Sequence, residues 1–486
     1  MLNHTHITLV PKIKNPECAS DYRHISLCNG LYKIVAKILS NRIKQYLDRF
    51  ISWSQNAFVP GRQILDNIIV AKELLHTMNN SYAANDHFAL KVDMSKAYNR
   101  VNLSLLGDML HLMGIQGMAH SLIMNYVITP SFSVNINGSL QGFFKSKRGI
   151  KQGCPLFPSL FIICSQGLSI LMHQYESQGL VNVLNLKKIL EEYAETSGQQ
   201  INYTKSAIHF SRGLSEIRRQ STIQDLESGW RQHILNLAGR NVLCKSSLSS
   251  IHIHAMGICL LPAGVTNHID KIQRCFWLGH SPEERKMHFI NWQKMGLQKD
   301  SGGLGIRSAE MMNKSLICKL VWRFLEEDDV MWVQLLSVKY LGDSSYWTIA
   351  PNNKASAIWN SMLEVRPILE NRIFWQVAND VKIRIFEDPW LLGYIDHLLS
   401  RNINPTSNAY MFSDITDPVN NSWRTDLLHD LFSPDIIQKI TEIVPSSEEA
   451  DILTWSCTTA GNFSAKSCYH LLANDIPVSS ALSQFP

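Results

Sequence analysis

The sequence predicts an α+β protein of more than one domain, and three observations carry that prediction. At 486 residues the chain is too long for one ordinary domain. Strand-like runs and a hairpin signal alternate with helical stretches up to about residue 222, whereas the pattern beyond is mainly helical. The composition is globular, with 45% hydrophobic and 18% charged residues, no low-complexity tract and no internal repeat, so there is enough apolar material for a core.

The elements follow in order. Before the first helix, Lys12, Lys14 and Arg23 fall in segments punctuated by Pro and Asp and read as loops. The stretch NGLYKIVAKILSNRIKQYLDRFI (29–51) repeats Leu31, Ile34, Val35, Ile38, Leu39, Ile43, Leu47 and Phe50 at helical spacing, which predicts an amphipathic helix with that stripe inward. In QNAFVPGRQILDN, the pair Pro60-Gly61 signals a turn that exposes Arg62. HFALKVD (87–93) reads as a strand, followed by an amphipathic stretch through Leu110. SFSVNINGSLQGFF (131–144) alternates around Asn137-Gly138, a strong hairpin signal. KSKRGIKQGCPLFPSLF is a basic, glycine-punctuated loop that runs into a helix opened by proline. Trp-rich 314–341 reads as packed helices, and the last hundred or so residues mix short strands with Pro and Asn.

Charge and composition exclude several classes. No run has the uncharged length of a membrane span; the nearest, LFPSLFIICSQGLSILM (156–172), reads as a buried helix. The N-terminus lacks the features of a signal peptide. Ten cysteines occur singly, with no CxxC, which points to reduced thiols in the cytoplasm or nucleus. Cys457, Cys468 and His470 do not have the spacing of a closed zinc site, so no zinc is expected. GRNVLCKSS (239–247) has Cys244 where a phosphate loop needs glycine, and SGGLGIRS (301–308) lacks a preceding strand. Residues 1–62 hold nine Lys/Arg against three Asp/Glu, while the remainder holds 37 against 38. That basic segment reads either as a phosphate-facing surface or as a solvated helix face.

Asp93 closes the apolar run ALKVD. A carboxylate there is well placed to hold a hard cation above a sheet, although a turn or cap residue is the commoner role of a single acid at a strand end.

Taken together, DYRHISLCNGLYKIVAKILSNRIK, QNAFVPGRQILDN, LKVDMSKAYNRV, GIKQGCPLFPSLF and EEYAETSGQQINYTKSAIHFS resemble the reverse transcriptase of plant non-LTR (LINE-type) retrotransposons. DSGGLGIRSAEMMNKSLICKLVWRFL and DILTWSCTTAGNFSAKSCYHLL resemble the region downstream of the polymerase in the same elements, in the family's order. The resemblance implies a right-hand polymerase layout: a helical fingers region (1–86), a ferredoxin-like palm (87–215), a helical thumb-like region (222–345) and a retroelement-associated C-terminal region (346–486). It implies RNA-templated DNA synthesis from dNTPs, with an RNA template, a DNA primer and Mg²⁺ or Mn²⁺, in the nucleus or cytoplasm and without a membrane. By family position Asp93 binds the catalytic metals. Tyr98 lies under the sugar and rejects a ribose 2′-OH. Lys12 or Lys14, with Arg23, clamps the triphosphate. Gln152 and Gly153 support the templating base pair, Lys205 protonates the leaving pyrophosphate, and Arg62, Lys147, Arg148 and Lys151 face the template.

The pattern breaks at one place that matters. The family supplies further metal-binding carboxylates as an Asp-Asp pair on a hairpin after the QGCPL helix. Here the interval CSQGLSILMHQYESQGLVNVLNLKKILEEY contains no aspartate, as though a block were missing at Leu180. The palm is therefore expected to be incomplete and the chain catalytically defective. Asp328-Asp329, the one such pair in the chain, reads as a polar turn between helices. A second seam is expected near Arg219–Ile223, where a primer-gripping turn is lacking. The family's preceding endonuclease and closing Cys/His cluster are expected to be absent. The alternative reading is a non-catalytic nucleic-acid binder that uses the basic N-terminal segment.

Overall fold

The alternation in HTHITLVP and YRHISLC sets Thr5 and Ile7 on one face and His4, His6 and Thr8 on the other, and both segments are strands: β1 (His4–Pro11) and β2 (Tyr22–Cys28). In this computed structural model the described residues are 3–11, 16, 18, 22–80, 88–136, 138–151, 153–179, 183–202, 206–210, 253–278, 306–342, 344–377, 383–391, 409–417, 422–443 and 451–474. They form two compact units, residues 1–67 with 71–233 and residues 68–70 with 234–486.

In the first unit β1 is central. It pairs antiparallel with β2 and parallel with β4 (Ser131–Ile136), which turns through Gly138 into β5 (Ser139–Lys145), giving the order β2-β1-β4-β5. Gly138, at φ 85°, supplies the left-handed residue of the hairpin expected there. Arg23 thus lies in a strand rather than the expected loop. The segment expected to be helical fingers supplies half of a sheet whose other half comes from the region expected to be palm.

Helix α1 (Gly30–Phe50) forms as the periodicity predicts, capped at its start by the Asn29 side chain accepting from the Leu31 amide at 3.0 Å. Its inward face differs from the expectation. Tyr32, Ala36, Leu39, Ser40, Ile43 and Leu47 are buried, whereas Leu31, Ile34, Val35, Ile38 and Phe50 are exposed. Eight apolar positions span more than one helical face, and the small Ala36 and the hydrogen-bonding Tyr32 decide which face packs. The Tyr32 hydroxyl donates to the Tyr126 carbonyl at 2.7 Å, the Tyr126 hydroxyl donates to the Tyr32 carbonyl at 2.9 Å, and the rings stack at 3.9 Å. Around this pair, α1 packs with α4 (Leu103–Leu112), α5 (Gly117–Ile128) and α6 (Phe157–Ser177) through Leu106, Leu110, Ile123, Leu160 and Ile163. α6 opens on a proline in its first turn, as expected. A separate two-stranded sheet pairs β3 (Phe88–Lys91) antiparallel with β6 (Ala207–Phe210). Helices α2 (Ile64–Asn80), α3 (Ala97–Arg100) and α7 (Val183–Ser197) complete this part of the chain.

The second unit is mainly helical. Its longest described helix, α10 (Ala309–Glu326), follows α8 (Ile253–Met256) and α9 (Ala263–Leu278), and a short helix at Met331–Leu336 continues it. Asp328-Asp329 lies between those two helices, in the turn the sequence predicts. The core here is aromatic: Trp332, Trp359, Trp390 and Trp455 are fully buried. Among the described residues no helix is long and apolar enough to cross a membrane.

Candidate functional site

Asp93 stands two residues beyond β3, and its main chain is fixed from across the sheet. Its amide donates to Ser206 Oγ at 3.0 Å, and its carbonyl accepts from the Asn202 amide at 2.8 Å. The next pairings, Met94 with Ile201 and the Ser95 amide with the Gln200 carbonyl at 2.7 Å, extend the contact past the strand ends. The carboxylate is partly buried and, among the described residues, has no hydrogen-bond or ion-pair partner.

The chain then turns through Lys96, at φ 51°, into α3, which carries Tyr98. The Tyr98 ring stacks on Phe161 of α6 at 4.7 Å, and burial raises its pKa. One turn further along α6, burial pushes the Cys164 thiol up to about 12, and burial first and then Cys164 push Tyr193 up to about 12. A thiol so placed is inert as a nucleophile at neutral pH.

The glycine-punctuated loop docks onto this turn. The Gly149 amide donates to the Val101 carbonyl and the Ile150 amide to the Tyr98 carbonyl, each at 2.8 Å. Gly149 has φ 82°, and a Cβ there would stand 2.5 Å from the Asn99 carbonyl oxygen, so any side chain would push the loop away. Gly153, at φ 94°, passes Ser26 of β2, whose carbonyl would lie 3.5 Å from an added Cβ. The loop therefore bridges the Tyr98 turn and the sheet.

Between them opens a cleft of about 290 Å³ lined by Ile7, Asn99, Phe132, Phe144, Arg148 and Lys151. The sheet register sets its floor: Thr5 lies opposite Phe132, and Phe132 opposite Phe144, whose rings stack at 5.6 Å. Lys151 is buried. Its ammonium donates to Thr5 Oγ1 at 2.8 Å and sits 4.2 Å above the Tyr32 ring and 5.3 Å from that of Phe132. Expected to face the template, it instead pins the loop to the sheet and α1. Lys147 and Arg148 are exposed. A cleft with an aromatic floor, a buried cation and a guanidinium at its rim suits a ligand that is part planar and part anionic.

Arg62 is engaged elsewhere. Its guanidinium donates to the carbonyls of Ile51 and Gln55 at 3.0 Å and of Asp48 at 3.2 Å, and to the Asp48 carboxylate at 2.8 Å. A further bond reaches the Ser52 carbonyl at 2.5 Å. These acceptors cluster at the C-terminus of α1, where carbonyls lack helical partners. Lys12, Lys14, Gln152 and Lys205 lie outside the described residues, as do Leu180, 219–223, 239–247 and the first part of 301–308; Arg23 is described only in its backbone.

A two-metal centre needs several converging carboxylates. Among the described residues, no three His, Cys, Asp or Glu side chains group closely enough to hold a metal ion. One carboxylate cannot position two divalent ions.

Sequence reasoning missed the cage around Lys151 and the two N-terminal strands. The buried neighbours Ile150 and Cys154 are the signal that would have placed Lys151 inward, and the alternation of HTHITLVP would have given β1.

Residues 10–194 match the family described as reverse transcriptase (RNA-dependent DNA polymerase). Similar curated proteins include an Arabidopsis thaliana protein named as a ribonuclease H protein, 30% identical over 265 residues, covering 51% of this chain and 41% of that protein. A 149 kDa protein of transposon TX1 from Xenopus laevis is 27% identical over 225 residues, covering 41% of this chain and 17% of that protein. The Pol polyprotein of retrotransposable element R2DM from Drosophila melanogaster is 27% identical over 154 residues, covering 31% of this chain and 14% of the polyprotein. The chain thus spans less than half the length of each of these relatives.

Proposed function

We propose that this chain, reverse-transcriptase-like over residues 10–194, is a protein of a plant non-LTR retrotransposon that binds a nucleic-acid template and primer but does not complete nucleotide transfer on its own carboxylates. The observation that carries the reading is the docking of the Gly149–Ile150 loop onto the Tyr98–Val101 turn, which follows Asp93 in the chain. That arrangement leaves a cleft suited to a planar, anionic ligand such as a nucleotide. By this reading Arg148 in the cleft lining meets the nucleotide, Asp93, Tyr98 and Gly153 keep the roles the family gives them, and Lys147 faces the backbone of the template. A divalent ion, when bound in a complete site of this kind, neutralises the nucleotide phosphates; here Asp93 alone supports neither ion of a pair. The missing Asp-Asp hairpin supports loss of polymerase chemistry, and the basic segment 1–62 supports retained binding.

Two measurements on the full chain test this. Template-primed incorporation of dNTPs is expected to equal that of an Asp93→Ala control, and incorporation above that control overturns the defect. Binding to a primer–template duplex with a single-stranded overhang is expected to weaken steeply and linearly on a log–log salt plot, because neutralised phosphates release counterions. Salt-insensitive binding overturns the nucleic-acid reading.

A further inference from the structure

Phe58 has φ 63°, in the left-handed region that an L side chain enters at a steric cost. Strain of this kind persists where the surroundings over-determine the backbone. The loop from Ile51 to Arg62 is held in that way. Ile51, Asn56 and Val59 are buried. Asn56 Nδ2 donates to Asn67 Oδ1 at 2.8 Å, Asn67 Nδ2 to the Ser54 carbonyl at 2.7 Å, and Gln55 Nε2 to the Ala57 carbonyl at 3.1 Å. Arg62 ties Ser52 and Gln55 to the end of α1.

This bracing holds a ring outward. Phe58 is 56% exposed and Trp53, on the same loop, is 66% exposed. Burial does not explain the strain, since an inward ring would have been the stabilising arrangement. What the loop provides is a pair of flat apolar rings on a rigid base. The exposed Arg42 and Arg49 lie on the helix that leads into it, within a segment of nine basic and three acidic residues. Exposed aromatic rings on a braced loop within a cation-rich segment match the chemistry of unpaired bases on a phosphate backbone, since every base has a π-face and each phosphate a charge. The surplus of cations favours a polyanion over a protein partner.

We propose that the loop 51–62 is a base-stacking platform for single-stranded nucleic acid, with Phe58 as its anchor and Trp53 as a second exposed ring on the same loop. The proposal rests on the nucleic-acid reading above and assigns it a contact outside the nucleotide cleft.

The test uses the full chain, a labelled single-stranded RNA oligonucleotide of mixed sequence and the matching RNA duplex, read by fluorescence anisotropy at low salt. Phe58→Gly and Phe58→Leu are compared with wild type, and the thermal midpoint of each is measured. Both variants are expected to bind the single strand about fivefold to a hundredfold more weakly, with duplex binding little changed. The Phe58→Gly midpoint is expected at or above wild type, because glycine adopts this backbone without strain. Wild-type affinity for the single strand in both variants overturns the proposal and leaves the rings to a protein partner. Equal losses on single strand and duplex with lowered midpoints also overturn it, since Phe58 is then structural. A wild-type chain with no affinity for either RNA overturns the nucleic-acid reading itself.

Discussion

Arg62 and Lys151 illustrate how a basic residue in a turn-rich segment can be read in the wrong direction. Residue type and the turn signals around them place a cation near a loop, but they do not say what the cation faces. Arg62 satisfies carbonyls at the end of α1, and Lys151 sits between Thr5 and two aromatic rings. Both roles depend on partners the linear pattern cannot supply, and the Lys151 contact joins residues 146 apart. The Arg62 role has a specific consequence. Lysine keeps the charge but loses the planar fork, so Arg62→Lys is expected to cost about 2 kcal/mol of stability in urea denaturation. The salt slope of RNA binding is expected to stay unchanged. A residue that touches the template would give the reverse pattern, with stability preserved and the slope reduced by about one.

Elements with a strong local pattern were legible in the sequence, and elements defined by distant pairing were less so. The hairpin at Gly138, the proline-opened α6 and the strand leading to Asp93 form where the sequence predicts them. The sequence assigns no element to β1 and places Arg23 of β2 in a loop, because β1 finds its parallel partner β4 more than a hundred residues away. The periodicity of α1 fixed its existence but not its inward face, because its apolar residues outnumber the positions one face can bury. The pairing of β3 with β6 carries an expectation of its own. A two-stranded sheet is marginal by itself, so the amides of Phe88–Lys91 and Ala207–Phe210 are expected to exchange with solvent faster than those of buried α6. Protection of β3 equal to that of α6 in a native-state hydrogen-exchange experiment would mean a further strand covers its edge.

At the scale of the molecule, the two units draw their stability from different materials. The first rests on aliphatic helix packing, with Leu39, Ile43, Leu106, Leu110 and Ile163 at its centre, and the second on aromatic contacts. The motif-bearing positions fall in the first unit, which is why the candidate site was partly legible from spacing. The Tyr98 turn and the glycine loop do meet through main-chain hydrogen bonds, whereas the metal-binding set rests on one interval without aspartate. The second unit offered composition but little chemistry, so its sequence predicted packing alone.

The buried indoles of the second unit give the molecule a built-in optical label. Among the described residues, the four fully enclosed tryptophans belong to that unit, while Trp53 of the first already faces solvent. Intrinsic emission is therefore expected to follow chiefly the second unit, which holds ten of the twelve tryptophans, while far-ultraviolet dichroism follows both. Arg62→Lys should shift the dichroism curve to lower denaturant and leave the emission curve in place. Coincident shifts in both signals would mean that the two units melt as one.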